Sequence, residues 1–517
     1  MGRSKLILKA SRLVPLGLRL KYEILVWKWL LRRFDKKAIE QAEYRKHVLI
    51  ATNLGNNLNT LALDLVLGLA LRSEGHRVTF TLCDAAVNAC MNCELNKFRS
   101  TDEFVTLGST KLCKSCTSRG KAVLQIGNFN PLMLNVGDGI ITKNWDHEVA
   151  SSGAKRFLAI GKVRNASEYK GVFSKFMLAS QRMNFEFDQI LKSNNFDLVL
   201  AHHGIYVPQG NVVALAKERN IPVITWVQGY RKRTFVFGYG DTYHRSFLTE
   251  KVELSPLLKE TKDKTLSYLE SRDSGEGDWI RFGRYTKQSA KFFGSHDSRR
   301  NVLLLTNVSW DAQLHYESRV FRDMHEWIIE SIDWFISRPE FDLTIRVHPA
   351  ELTGRIVSRD PTLAIIEEAF GDLPTNIRLI GPNEKVSTYA LMDEADLGLI
   401  FASKVGIEMA TKDVPVIVAG ESWIRGRGFS NDPNTKEEYF ELLRLFLEAE
   451  VELHKDQELA LSFAHWYFFV KSIEVKSVKP LNRYPYMRPQ LSNSWRKNDL
   501  GLKKIVSEII HYGNDKT

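Results

Sequence analysis

Two periods of hydrophobic residues alternate along this chain. Short runs that are apolar at nearly every position, at 47–53, 77–82, 196–201, 222–226, 301–305, 344–347, 396–401 and 414–419, predict strands buried on both faces. Between them lie segments with apolar residues at helical spacing. The clearest runs from about 58 to 73, entered through the turn Leu54-Gly55-Asn56-Asn57 and left through Glu74-Gly75-His76. The stretch 47–82 is one βαβ unit, and a second runs from 196 through His202-His203-Gly204 and a helix to 226. Strands alternating with helices predict parallel sheets whose ligands bind beyond the carboxyl ends of the strands.

At 517 residues the chain exceeds what one hydrophobic core usually serves. Segments 271–278 and 294–300, rich in Ser, Gly and charge, predict a boundary between two α/β domains, 47–290 and 300–440. Residues 441–517 read as C-terminal helices, with Trp466, Tyr467, Phe468 and Phe469 as packing residues.

The formal net charge of +11 suggests nucleic acid as a partner until it is located. Residues 1–46 hold 13 Lys and Arg against 4 Asp and Glu, and the rest of the chain holds 59 against 57. A nearly neutral body argues against nucleic acid. In 1–46 the cations are interleaved with Leu, Ile, Val, Trp27, Trp29 and Phe34. No run there reaches the ~18 uncharged apolar residues that span a bilayer, and no small-residue cleavage site follows an apolar core. The segment therefore predicts an amphipathic helix lying on an anionic membrane surface, with the protein peripheral at the cytoplasmic face of the cell membrane. The competing reading is a helix packed on the protein with a solvated basic face.

Candidate chemistry concentrates between 344 and 433. Thr344-Ile345-Arg346-Val347-His348-Pro349 is a strand ending in a cation, an imidazole and a proline. Ala402-Ser403-Lys404-Val405-Gly406-Ile407-Glu408 is a turn into a helix, where free amides and the positive helix end converge on one point and phosphate usually binds. Arg425-Gly426-Arg427-Gly428-Phe429-Ser430 is a basic Gly loop suited to closing over a diphosphate or sugar. The His348-Pro349 pair, the Ser403-x-x-Gly406-x-Glu408 turn and the Gly426-x-Gly428-Phe429 loop ahead of Asp432-Pro433 together resemble the capsule polysaccharide biosynthesis family of bacterial glycosyltransferases, which includes the β-Kdo transferases. The resemblance covers roughly the last third of the chain. It implies the GT-B architecture, two Rossmann-like domains facing a cleft, and a donor nucleotide and phosphate held by His348, Ser403 and Glu408. Pro349, Lys404, Gly406, Arg425 and Arg427 join them as donor-site candidates. Family members of this architecture generally need no divalent metal, so no catalytic metal is expected. Thr306-Asn307-Val308-Ser309-Trp310-Asp311 stands where Kdo-transferring members carry a Gln-Pro opening, which leaves the CMP-, UDP-, GDP- and dTDP-linked donors all open.

Inverting transfer needs a base to take the acceptor proton, and His is suited to this near neutral pH. His203, at the end of a first-domain strand, is the expected base, with His202 beside it. Tyr206, Gln209, Tyr230, Arg231, Asp241 and His244 follow on neighbouring loops as acceptor-binding candidates. Each of these residues also has an ordinary structural reading, as a hydrogen-bonded core residue or a solvated loop charge.

All five cysteines fall between 83 and 116, as Cys83, Cys90-x-x-Cys93 and Cys113-x-x-Cys116. Two CxxC pairs 19 residues apart match the spacing that supplies four thiolates to one zinc. Cys90, Cys93, Cys113 and Cys116 are therefore expected to hold a structural Zn²⁺ in a Cys-rich insert at 83–120. An iron-sulfur cluster, with Cys83 able to replace one member of the set, is the rival. Together these readings predict a glycosyltransferase moving a sugar from a nucleotide-sugar to a growing surface polysaccharide or lipid-linked glycan. The alternatives are a nucleotide-sugar epimerase of the same architecture and a non-catalytic polysaccharide-assembly protein.

Overall fold

Seven consecutive buried residues make β1 (His47–Asn53) an interior strand. It pairs in parallel with β2 (Arg77–Cys83), and β3 (Leu132–Leu134) extends the sheet beyond β2. On its other side β1 pairs in parallel with β4 (Leu198–His202), followed by β5 (Val223–Gln228) in parallel and β6 (Thr234–Tyr239) antiparallel. Successive side chains in a strand point to opposite faces, so continuous apolar runs feed two cores. Val48, Ile50, Leu198, Leu200 and Trp226 enter one. Leu49, Ala51, Val199 and Ala201 enter the other. The computed structural model describes residues 16–31, 45–135, 137–274, 277–279, 299–312, 317–354, 356–481, 487–491 and 498–512.

The second sheet is parallel throughout: β7 (Asn301–Leu305), β8 (Asp342–Arg346), β9 (Ile377–Ile380), β10 (Leu397–Ile400) and β11 (Val416–Val418), in the spatial order β11-β10-β7-β8-β9. The first sheet has the order β6-β5-β4-β1-β2-β3, with β12 (Ser472–Glu474) added antiparallel beside β6. Numbered within its own domain, each sheet contains the run 3-2-1-4-5, the doubly wound order, and the first sheet continues it with β6 and β12. A crevice opens in such a sheet where the winding reverses, at the carboxyl ends of the first and fourth strands. These points are β1/β4 in one domain and β7/β10 in the other. Both face one cleft, which is the GT-B arrangement.

Two expectations change in the structure. The C-terminal region is not all helical: after Lys471 the chain returns to the first domain, adds β12, forms a hairpin from Val478–Pro480 and Met487–Pro489, and lays the helix Leu500–His511 on the helix Leu58–Ser73. The Cys-rich stretch is not a separate insert either. It is the crossover from β2 to β3, and its helix Thr110–Ile126 sits so close to the β1 turn that a Cβ on Gly55 would lie 2.0 Å from Cys116 O. The predicted boundary around 290 lies outside the described residues.

Of the basic segment 1–46, the described part is the helix Leu16–Leu31 with residues 45 and 46; the rest lies outside. Trp27 and Leu31 are buried in the first-domain core, whereas Tyr22, Leu25 and Trp29 are 66%, 62% and 64% exposed. The helix thus packs on the protein through one face and presents an aromatic and apolar stripe on another. No helix among the described residues is long and apolar enough to cross a membrane.

Partly buried polar contacts tie the domains together. Arg427 donates to the backbone oxygens of Phe247 and Glu250, at 2.8 and 2.7 Å. Asp360 accepts from the amides of Gly161 and Lys162, at 2.7 and 2.9 Å.

Candidate active site

The two winding-reversal points open into a cleft of about 1430 Å³. A smaller hollow of about 440 Å³ lies at the opposite, amino ends of the first-domain strands, lined by Lys46, His47, Arg77 and Asp197. Residues that a doubly wound sheet delivers to a ligand are those at the carboxyl ends, so the cleft is the candidate site.

Its second-domain wall comes from the loops after β7, β8 and β10. His348 follows β8, and its amide donates to Thr306 Oγ1 beyond β7 at 2.9 Å. The Ala350 amide donates to His348 Nδ1 at 3.1 Å, which leaves the ring proton on Nε2. Burial, reinforced by the charges of Lys404 and Arg346, lowers the imidazole to about 4, so it is neutral at physiological pH. Pro349, Ser403, Lys404 and Glu408 line the same wall. Ser403 Oγ accepts from the Val405 amide at 3.4 Å, the first residue of a six-residue helix.

Glu408 plays a different part from the expected one. Lys404 Nζ donates to its Oε1 and Tyr389 Oη donates to its Oε2 at 2.6 Å, while Arg272 Nε lies 3.4 Å from Oε2. Burial alone would raise this carboxyl, but the Arg272 and Lys404 charges outweigh it and hold it at about 2. With both oxygens taken by protein groups, Glu408 fixes two cations rather than offering a free acceptor. Arg272 also pairs with Asp278 at 2.6 Å, and Lys404 Nζ stands 4.3 Å over the Tyr230 ring.

Three donor-site expectations are corrected by position. Gly406 does not line the cleft; a Cβ there would meet Ile400 Cδ1 and Ile424 Cδ1 at 2.6 Å, so glycine serves helix-sheet packing. Arg425 is spent on its own loop, donating to Val418 O at 3.0 Å and to Asp432 O and Pro433 O. Arg427 is spent on the interdomain tie.

On the first-domain wall, β4 delivers His202 and His203. His203 has φ +35, a left-handed conformation uncommon outside glycine. Its Nδ1 accepts from the Ile205 amide at 3.3 Å and its Nε2 lies 2.8 Å from Met91 Sδ. Burial, with smaller contributions from His202, Arg156 and His244, holds it well below the ordinary imidazole range. Both ring nitrogens are engaged by the protein, which removes His203 as the expected base. His202 Nδ1 has no hydrogen-bond partner among the described residues, and burial lowers this ring to about 3. Its ring centroid lies 4.7 Å from that of Trp226.

Tyr206, Tyr230 and His244 line the cleft as expected. Gln209, Arg231 and Asp241 do not. Gln209 is buried at the start of the helix Gln209–Glu218, Arg231 donates to Phe468 O at 2.7 Å, and Asp241 pairs with Lys217. Residues that the sequence did not single out complete the wall: Asn56 and Asn57 beyond β1, and Arg156, which donates to Met91 O at 2.6 Å and pairs with Glu94 at 3.1 Å.

The five cysteines are free thiols, all buried. Among the described residues no group of three or more His, Cys, Asp or Glu side chains is placed to hold a metal ion. The Cys93 amide donates to Cys90 O at 2.8 Å, and Met91 and Asn92 between them line the cleft. The stretch is part of the site wall rather than a remote staple.

No protein-family model and no curated protein matches this chain. Solved structures similar to it include the KpsC β-Kdo 2,4 transferase of Thermosulfurimonas dismutans, at 14% identity over 52% of this chain and 79% of that one, with a TM-score of 0.34. A Neisseria meningitidis UDP-GlcNAc 2-epimerase bound to UDP-GlcNAc is similar at 13% identity over 81% and 98%, with a TM-score of 0.29. The S. aureus MnaA–UDP structure is similar at 11% identity over 91% and 97%, also at 0.29. These likenesses are distant, and the fold assignment stands on the strand order of the two sheets.

Proposed function

We propose that this protein is a glycosyltransferase that moves a sugar from a nucleotide-sugar donor to a growing bacterial surface polysaccharide or lipid-linked glycan. The observation that carries the reading is the meeting of two winding-reversal points across one cleft, with ordered cations on one wall and a histidine pair on the other. Lys404, held by Glu408, and the Nε2–H of His348 meet the diphosphate. The positive charge of Lys404 and the hydrogen bond from neutral His348 stabilise the leaving group as the anomeric bond breaks, an electrostatic contribution made by groups already in place. His202, uncharged at neutral pH, receives the acceptor proton. Tyr206 and His244 shape the acceptor side.

The exposed stripe Tyr22, Leu25 and Trp29 lies on a helix packed against Thr110–Ile126, whose Leu112, Ser115 and Arg119 line the cleft. A membrane surface contacting the stripe would lie beside the acceptor wall, which favours an acceptor delivered on a lipid.

Thermal-shift measurements against free CMP, UDP, GDP and dTDP test the donor, because a nucleotide bound by the folded state raises its stability by mass action. One nucleotide raising the midpoint, followed by acceptor-dependent release of that nucleotide from its sugar conjugate, is the expected result. Interconversion of the free nucleotide-sugar without acceptor would establish an epimerase instead.

A further inference from the structure

The first-domain wall holds a polar opening that neither the donor site nor the histidine pair uses. The 16-residue helix Leu58–Ser73 starts just beyond β1, at the winding-reversal point, so its amino end meets the cleft. Asn56, Asn57, Leu58 and Asn59 all line it. A helix leaves its first amides without intrahelical acceptors, and here two of them are claimed by the cap. The Thr60 amide donates to Asn57 Oδ1 at 3.3 Å and the Leu61 amide to Asn57 O at 3.0 Å. The amides of Leu58 and Asn59 have no acceptor among the described residues, and the first turn holds no acidic side chain.

Asn59 is an independent sign of a ligand. It lines the cleft while only 7% exposed, and its Oδ1 has no hydrogen-bond partner among the described residues. A buried amide oxygen left unpaired costs free energy that a bound donor recovers. A cation stands on the same side. Gly55, where a Cβ would lie 2.0 Å from Cys116 O, lets the helix Thr110–Ile126 close on the turn, and Arg119 of that helix lines the cleft and donates to Asn56 Oδ1. Open amides at a helix start with a guanidinium nearby suit an oxyanion, and an orphaned amide oxygen suits a hydroxyl.

We propose that this turn binds a phosphate of the acceptor, so that the acceptor is a glycosyl phosphate ester. Its phosphate meets the Leu58 and Asn59 amides and Arg119, and a hydroxyl of its sugar donates to Asn59 Oδ1. In the transferase reading, on which this assignment rests, the donor's diphosphate lies on the second-domain wall with Lys404 and His348. An oxyanion site on the facing wall then belongs to the other substrate. The helix that carries Arg119 also packs against the helix bearing the exposed stripe Tyr22, Leu25 and Trp29, which suits a phosphate joining a glycan to a lipid carrier.

Calorimetric titration of the full-length His348→Ala protein, in which the donor wall is weakened, tests the site with glucose 1-phosphate, inorganic phosphate and methyl glucoside as probes. Glucose 1-phosphate should bind more tightly than inorganic phosphate and about tenfold or more tightly than methyl glucoside. Adding Asn59→Asp should lower the affinity for the ester by about tenfold or more while the melting midpoint holds, because a carboxylate in the first turn suits the helix but repels phosphate. A merely structural Asn59 would not separate the two readouts. Equal ester affinity with and without Asn59→Asp overturns the site, and leaves the donor reading standing if a free nucleotide still stabilises the wild type. Inorganic phosphate bound as tightly as the ester overturns the acceptor assignment. Ester binding that Asn59→Asp removes, in a protein that no free nucleotide stabilises, supports the phosphate site and overturns the transferase reading instead. Should the Asp variant fail to fold, Arg119→Gln decides by the same titration: a loss of about tenfold supports the site, and an unchanged affinity overturns it.

Discussion

Arg272 Nε lies 3.4 Å from Glu408 Oε2, joining the helix Lys259–Ser274 to the helix Val405–Ala410 across the cleft floor. Both side chains are 5% exposed or less, so the pair is in a weakly screened environment. Removing one partner of a buried pair leaves the other uncompensated, which typically costs about 3–5 kcal/mol. Glu408→Gln should therefore lower the melting midpoint and release Lys404 from its position. His348→Ala should act differently. It removes one charge-assisted donor to phosphate, worth about 1.5–3 kcal/mol, so nucleotide affinity should fall by roughly 10- to 150-fold with little loss of stability. His348→Gln, which keeps an N–H near the Nε2 position, should recover part of the affinity in calorimetric titration. Equal affinity for the wild type and the Ala variant would remove His348 from the donor site.

His202, the last residue of β4, and His203 just after it should separate in kinetics. If His202 is the base, His202→Ala should keep nucleotide affinity while turnover falls by roughly 10²–10⁴. His203→Asn, chosen because Asn tolerates a positive φ, should chiefly disturb stability and the Michaelis constant for the acceptor through the lost Met91 contact. Burial holds His202 at about 3, so its protonation should give no acid limb in the pH-rate profile between pH 5 and 8. A limb near 6.5 that vanishes in His202→Ala would contradict the burial seen here.

Much of this arrangement was legible in the chain, for stateable reasons. Runs such as Val48 to Ala51 and Leu397 to Ile400 are apolar at every position because both sheet faces are covered, so the strands could be read directly. His348 and Ser403 end such strands, and parallel winding brings them to one cleft. Strand order is a long-range property and was not legible. For that reason the return of Ser472–Glu474 to the first sheet was missed, and Arg272 gave no local sign of pairing with a carboxylate 136 residues later. Arg425 and Arg427 looked like ligand-closing cations because a basic Gly loop resembles one. Backbone oxygens at Val418, Phe247 and Glu250 claim them instead. His203 was misassigned because the Met91 sulfur that occupies its Nε2 is 112 residues away.

The exposed stripe on the N-terminal helix has positions 22, 25 and 29 on one side, a spacing that places them together along the helix. Replacing Tyr22, Leu25 and Trp29 together by Ser should release the full-length protein from anionic vesicles in sedimentation, while Trp27 and Leu31 keep the helix docked and nucleotide binding persists. Raised salt should weaken the wild-type interaction, since the flanking cations act through screened charge. Undiminished vesicle binding by the triple variant would assign the stripe another partner.

Asp64 supplies the clearest pH dependence. It is fully buried in the helix Leu58–Ser73, accepting from Thr52 Oγ1 at 2.7 Å and Trp226 Nε1 at 3.1 Å, and burial raises its carboxyl from 3.8 to about 7 against those two hydrogen bonds. Between these values the unfolded chain has lost a proton that the folded protein keeps. The stability Asp64 contributes is thus fully present below pH 3.8, is lost as pH rises toward 7 at up to about 1.4 kcal/mol per pH unit, and is flat above that. His202 and His348 slope the other way, because their lowered values make the folded protein shed protons that the unfolded chain binds below 6.5. The wild-type curve mixes both trends, and comparison with Asp64→Asn isolates the carboxyl. Asn can accept from Trp226 through Oδ1 and donate to the Thr52 hydroxyl through Nδ2, so the local geometry survives. Denaturation midpoints across pH 4 to 8 should show the Asn variant gaining on the wild type with every step toward neutrality and then holding a constant lead. A gap that does not change with pH would mean that Asp64 is already ionised in the folded core.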